Sequence, residues 1–191
     1  MFLRALRERT HRLEALTRIC LTGAECTGKS RLAEELAGHF GTVWVPEYAR
    51  EYAQRVARPL MYLDVAAIAE GQMRLEGGLV KGLAILDTDL ISTVVYSRHH
   101  YGACPEWIEA EARKRRADLY LLLDVDVPWI ADAARDSGAR REELHEEFRR
   151  ALEEFGAKYV LISGTWEERR QRAIDAVRGA RTAARPPGRC C

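Results

Sequence analysis

The chain has 191 residues, 47% of them hydrophobic, enough apolar material for one domain with a buried core. Its 30 basic and 29 acidic residues leave a formal net charge of +1, which excludes a protein-wide nucleic-acid field but allows a local basic patch. The cysteines, Cys20, Cys26, Cys104, Cys190 and Cys191, follow neither a zinc spacing nor a disulfide framework, and no apolar run is long enough to span a bilayer, so a cytoplasmic, reducing compartment is expected.

Residues 1–16 set Leu3, Leu6, Leu13 and Leu16 among arginines, the pattern of a short amphipathic helical extension. Residues 18–22 form a short apolar strand, and Gly23-Ala24-Glu25-Cys26-Thr27-Gly28-Lys29-Ser30 then spells G-x-x-x-x-G-K-S. Leu32, Ala33, Leu36 and Ala37 recur at helical spacing after it, so the motif has the strand-loop-helix context of a phosphate-binding loop. Gly23 and Gly28 let the backbone curl until its N–H groups form an anion nest, and the helix opening at Lys29 adds its positive end. Lys29 is expected on the β- and γ-phosphates and Ser30 on Mg²⁺. The eight loop residues, with Arg31 directly after them, are the candidate ATP-binding set. Cys26 is either a thiol made reactive by the nest or a small residue that fits the loop.

Residues 42–45 predict a second strand stopped by Pro46, and Glu47-Tyr48-Ala49-Arg50-Glu51 opens a helix. A long helical pattern covers 64–80, weakened by Gly77 and Gly78. Residues 83–87 form a strand tipped by Asp87, and Thr88-Asp89 leads into a helix through Tyr96. After a loop at 101–105 comes a charged helix over 107–116. Residues 119–123 are a nearly continuous apolar strand followed by Asp124. A helical stretch over 129–155 is interrupted at Ser137 and Gly138, and residues 159–162 and 166–177 give a last strand and helix. Residues 180–191, with Pro186-Pro187-Gly188, are expected to be a disordered tail, so 17–179 is the domain. Alternating strands and helices predict an α/β P-loop NTPase fold, a parallel sheet of about five strands with helices on both faces. Glu47, Asp87, Asp89 and Asp124 all fall at strand ends, where ligands of such sheets bind.

No guanine-reading N-K-x-D motif is present, and the second acidic strand ends in Asp87-Thr88-Asp89 rather than the Asp-Glu of assembly-forming ATPases. A small-molecule kinase remains, and it needs three further parts. Glu47 is the candidate carboxylate that orients the acceptor hydroxyl and takes its proton, or else it serves the helix dipole. Asp87 and Asp89 are candidates for Mg²⁺ or a sugar diol, with Asp89 alternatively a helix cap. Arg135, Arg140 and Arg141, flanking Ser137 and Gly138, are candidates for a lid over the transferring phosphate, or a solvated face. Arg50 either faces the phosphates or pairs with a nearby acid.

The segments 23–30, 47–51, 87–93 and 124–141 resemble, in order and spacing, the ribosylnicotinamide kinase domain of the bacterial NAD-biosynthesis regulator. The resemblance implies ATP- and Mg²⁺-dependent phosphorylation of the 5′-hydroxyl of nicotinamide riboside. It implies that Glu47, Asp87 and Asp89 line the acceptor pocket, with Tyr48 or Trp44 as an aromatic wall for the pyridinium ring. Members of that family carry a helix-turn-helix and an adenylyltransferase domain ahead of the kinase. The stretch before the first strand here is too short for either, so neither repression nor completion of NAD is expected. Two other readings stay open: a nucleotide-binding regulatory module that docks a partner through its two extensions, and a kinase of nucleic-acid 5′-hydroxyls that uses the basic run Arg113-Lys114-Arg115-Arg116.

Overall fold

Three sequence runs have no polar face, so each must be covered on both sides, and the chain achieves this with one parallel sheet between two layers of helices. The computed structural model describes residues 15–126 and 139–183. Nearly all of the expected N-terminal extension, Arg135, Ser137, Gly138 and most of the expected tail lie outside the described residues. The strands are β1 (Thr17–Thr22), β2 (Val43–Val45), β3 (Leu83–Asp87), β4 (Leu119–Leu123) and β5 (Tyr159–Ile162). They lie in the order β2-β3-β1-β4-β5, every pairing parallel. The three inner strands are the apolar ones. The edge strands are short and leave Val43, Trp44, Val160 and Leu161 partly exposed, as edges that must not recruit further strands tend to be.

The pleat sends alternate residues to opposite faces. Cys20, Ala84, Leu86, Tyr120 and Leu122 join one core cluster with α3 (Val65–Glu76), α4 (Leu90–Tyr101), α5 (Glu106–Lys114) and α6 (Ala139–Glu154). Ile19, Leu21, Ile85, Leu121 and Leu123 join the other, with α1 (Lys29–Phe40) and α7 (Trp166–Ala183). The remaining helix, α2 (Tyr48–Val56), packs on α3 beside the edge strand β2.

Helices α3, α4 and α7 have ends that differ from expectation for local reasons. Helix α4 runs past Tyr96 to Tyr101, as Tyr96 meets Phe148 edge-on and stacks on His100, which in turn touches Tyr101. It ends where Gly102 adopts φ 74° and caps Arg98. Helix α3 stops at Glu76, where Gly77 and Gly78 follow, and its expected first residue Asp64 belongs to a short 3-10 turn, Tyr62–Asp64, clasped by Arg58, Tyr52 and the Met61 amide. Helix α7 takes in residues 180–183 of the expected tail, since no proline intervenes before Pro186.

On the α3 face of the sheet, toward the amino edge where β1 begins, lies a buried charge network. Glu76, 4% exposed, pairs with Arg18 and accepts from Gln72 at 3.2 Å. Burial, reinforced by the negative Asp89 and opposed by Arg18, pushes its carboxyl from 4.5 to about 7. A carboxyl whose pKa is raised by folding contributes stability that is full below pH 4.5 and lost as pH rises through about 7. The urea midpoint of the wild type should therefore fall between these limits relative to that of Glu76→Gln, and parallel pH profiles for the two proteins would exclude Glu76 as the source.

Candidate active site

Tight curvature after β1 depends on left-handed backbone at three of six positions: Gly23 (φ 124°), Cys26 (φ 56°) and Gly28 (φ 89°). At Gly23 a Cβ would lie 2.8 Å from the Leu123 carbonyl oxygen of β4, so only glycine lets the loop leave the sheet there. Thr27 Oγ1 donates to the Ala24 carbonyl at 2.9 Å and stitches the loop across its middle, while Glu25 and Cys26 stand half-buried at its crest. Lys29, 9% exposed, turns its ammonium inward and donates to the Gly23 and Ala24 carbonyls at 2.8 and 2.7 Å. The cation is thus stored at the mouth of the nest, where a polyphosphate would meet it.

Arg31 does not join the loop. Its guanidinium stacks 4.0 Å from the centroid of Trp166 and pairs with Glu35. The same indole covers Gly28, where a Cβ would lie 2.8 Å from the ring. Behind them Arg169 is fully buried and donates to the carbonyls of Gly164 (2.9 Å), Asp124 (3.0 Å) and Thr27 (3.3 Å), and to the Asp126 carboxylate. One side chain of α7 therefore ties the phosphate loop, the end of β4 and the β5–α7 turn together. Sequence reading passed over it because Arg169, Arg170 and Arg172 look like a solvated face. Its position just after the carboxyl end of the last strand was the available signal.

The other acids reach the same edge through the sheet's register. Asp87 pairs with Leu21, two residues before Gly23, and Val45, two residues before Glu47, pairs with Leu86. Glu47 sits 3.6 Å from Arg50, and Arg50 donates to Ser30 Oγ at 3.3 Å, so Ser30, Glu47 and Arg50 form one contiguous group. Asp87 is 2% exposed and its Oδ1 has no hydrogen-bond partner. A buried carboxylate oxygen left bare is costly, and Thr88 after it is held at φ 71° while its amide bonds the Leu21 carbonyl. Asp87 and the Ser30 hydroxyl are the donors that fit Mg²⁺, an ion that takes only one or two protein ligands and fills its shell with phosphate and water. Among the described residues no cluster of three or more His, Cys, Asp or Glu side chains forms an all-protein metal cage.

Two expected site residues turn away from this crevice. Asp89 takes the helix-cap alternative: its Oδ1 accepts from the Ile91 amide at 2.9 Å, its Oδ2 from the Tyr120 hydroxyl at 2.5 Å, and it is 4% exposed. Burial raises its carboxyl pKa, against the Tyr120 bond. Tyr48 is spent in the α2–α3 seam. Its ring lies where a Cβ on Gly71 would be, its amide donates to Gln72, and Arg55 bonds its hydroxyl. Trp44, by contrast, is 37% exposed on the edge strand. The arginine pair at the start of α6 splits: Arg140 is exposed and Arg141 is 8% exposed. The basic run 113–116 leads into the amino end of β4, opposite the phosphate loop, and is met by Glu154, Glu111 and the Phe155 carbonyl. No helix among the described residues is long and apolar enough to cross a membrane.

Comparison with known proteins agrees with this geometry. Residues 18–169 match the AAA domain family. The chain is homologous to the trifunctional NAD biosynthesis/regulator protein NadR of Escherichia coli (strain K12), 30% identical over 172 residues, which cover 84% of this chain and 42% of that protein. Among solved structures it resembles NadR in complex with NR, with a TM-score of 0.73, 30% identity, and coverage of 89% of this chain and 52% of that one. It also resembles NadR in complex with NAD and AMP-PNP, with a TM-score of 0.71, 26% identity, and coverage of 94% and 52%. The chain thus spans about half the length of the relatives it matches.

Proposed function

Since the chain belongs to the AAA domain family of P-loop proteins, we propose that it is an ATP-dependent kinase that phosphorylates the 5′-hydroxyl of nicotinamide riboside to give nicotinamide mononucleotide. The observation that carries this reading is the meeting of a complete phosphate loop with Glu47 and the bare Asp87 oxygen at one sheet edge. The likeness to the NadR structure containing NR supports the choice of acceptor.

In this reading ATP binding draws Lys29 from the loop carbonyls onto the β- and γ-phosphates. Ser30 and Asp87 would hold Mg²⁺, which would supply charge neutralisation for the phosphates. Glu47 accepts a hydrogen bond from the acceptor hydroxyl and takes its proton as the new oxygen–phosphorus bond forms and the bond to the β-phosphate oxygen breaks. Arg50 keeps Glu47 aimed at the Ser30 side, and the exposed Trp44 offers a face to the cationic ring. Arg140, exposed at the start of α6, is the described arginine available to the transferring phosphate. Asp89 serves the acceptor indirectly, by fixing the backbone after Asp87.

A coupled assay of purified protein with ATP across a panel of nucleosides tests this. Brisk turnover of nicotinamide riboside is expected, and turnover of another nucleoside in its place would overturn the acceptor while keeping the class. Glu47→Gln should lower kcat by about 100-fold or more, since general-base contributions are of that size, while nucleotide affinity stays near that of the wild type. Normal turnover by this variant would remove Glu47 as the base.

A further inference from the structure

Arg141 lies on the core-facing stripe of α6, one turn before Leu144 and two before Phe148, both in the core cluster shared with α4. It is 8% exposed, and its Nε and Nη2 are buried with no hydrogen-bond partner. These two N–H groups lie on one edge of the guanidinium, the edge that grips a carboxylate or phosphate with two parallel bonds. One turn further along the same face, His145 Nδ1 is also buried and bare. A buried cation with its two-donor edge unused is costly, and an oxyanion on that edge would relieve the cost.

Packing fixes where that edge stands. Helix α4 leaves the carboxyl end of β3 and α6 leads to the amino end of β5, so the two run in the same direction. Tyr96 touches Phe148, and His99 bonds Glu147 at 2.9 Å. About two turns back from Tyr96 and from Phe148 stand Asp89 and Arg141, so Arg141 is level with the Asp87–Asp89 end of the sheet. Asp89 does not bond these nitrogens; its oxygens accept from the Ile91 amide and the Tyr120 hydroxyl instead. Asp87 keeps its own oxygen bare. Arg141 also belongs to the face covered by α4, whereas the phosphate loop runs into α1 on the face covered by α7. The oxyanion therefore comes from the acceptor rather than from the nucleotide.

We propose that Arg141 anchors an oxyanion subsite on the acceptor side, which takes a carboxylate borne by the base of the acceptor nucleoside. This rests on the kinase reading above and widens its acceptor class. A cationic pyridinium beside this guanidinium is repelled, and a ring carboxylate removes that repulsion and fills the Nε and Nη2 donors.

The test compares nicotinamide riboside with its ring-carboxylate counterpart, nicotinate riboside, in the wild type, Arg141→Gln and Arg141→Lys, with the KM for ATP measured alongside. The wild type should use the carboxylate nucleoside at least as well as the carboxamide. The ratio of kcat/KM, carboxylate over carboxamide, should fall about tenfold or more in Arg141→Gln, the size of a lost charge-assisted pair. Arg141→Lys, which keeps the charge without the paired edge, should fall between them. The melting temperature of Arg141→Gln should not drop by the several degrees of a broken buried ion pair, because Nε and Nη2 lose no hydrogen bond. An unchanged ratio would overturn the subsite, and so would an effect confined to the KM for ATP. If neither nucleoside is phosphorylated the kinase reading fails, and calorimetric titration of nicotinate riboside into wild type and Arg141→Gln still decides the subsite: weaker binding by the variant supports it, and equal or absent binding refutes it.

Discussion

Lys29→Ala should lower kcat by about 10²–10³-fold, the loss typical when a preorganised donor to transition-state charge is removed. The side chain is 9% exposed and its bonds go to the Gly23 and Ala24 carbonyls. The ammonium is thus desolvated before any phosphate arrives and needs no large reorganisation to follow the migrating phosphoryl group. Its charge counts most where the negative charge is most mobile, so turnover should suffer more than nucleotide affinity. Steady-state kinetics with a separate nucleotide-binding titration resolve the two. Turnover close to that of the wild type would mean that the loop does not serve phosphoryl transfer.

Arg169→Leu should destabilise the fold by about 3–5 kcal/mol, the range for breaking a buried, paired charge on one side. The guanidinium is fully buried and serves three carbonyls and the Asp126 carboxylate. A leucine leaves the carbonyls of Thr27, Asp124 and Gly164 without this donor in a site closed to water. Because Thr27 belongs to the phosphate loop, nucleotide affinity should drop together with the urea midpoint. Arg169→Lys can reach only part of this set, since an ammonium lacks the planar fork, and should recover only part of the stability. A urea midpoint unchanged in Arg169→Leu would show that the knot is not holding the loop.

The fold was largely legible because its decisive runs are unambiguous. The bounds of β3, β4 and β5 match the expected strands, and the sheet has the expected five parallel members. Runs such as Leu119–Leu123 can only be covered on both faces, and the G-x-x-x-x-G-K-S spacing admits few other structures. The phosphate loop and the edge shared by Glu47, Asp87 and Ser30 followed from the same rule, that ligands meet the carboxyl ends of such strands. What sequence could not give was direction of side chains and distant partners. Asp89 and Asp87 are two residues apart, yet only contact with Tyr120 and the Ile91 amide distinguishes the cap from the bare acid. Tyr48 looked available for a ligand until its fit over Gly71 was seen. Arg169 works through residues more than forty positions away, at Thr27, Asp124 and Asp126, and no local pattern announces that.

Trp166 lies against Gly28 and also carries the Arg31 guanidinium over its ring. An indole in that position is a fluorophore wired to the nucleotide seat, because any shift of the loop changes the dipoles and the cation next to its excited state. Emission at this tryptophan should follow occupancy of the seat in real time without an added label, and with Trp44, Trp107 and Trp129 replaced by phenylalanine the optical signal would belong to the loop alone.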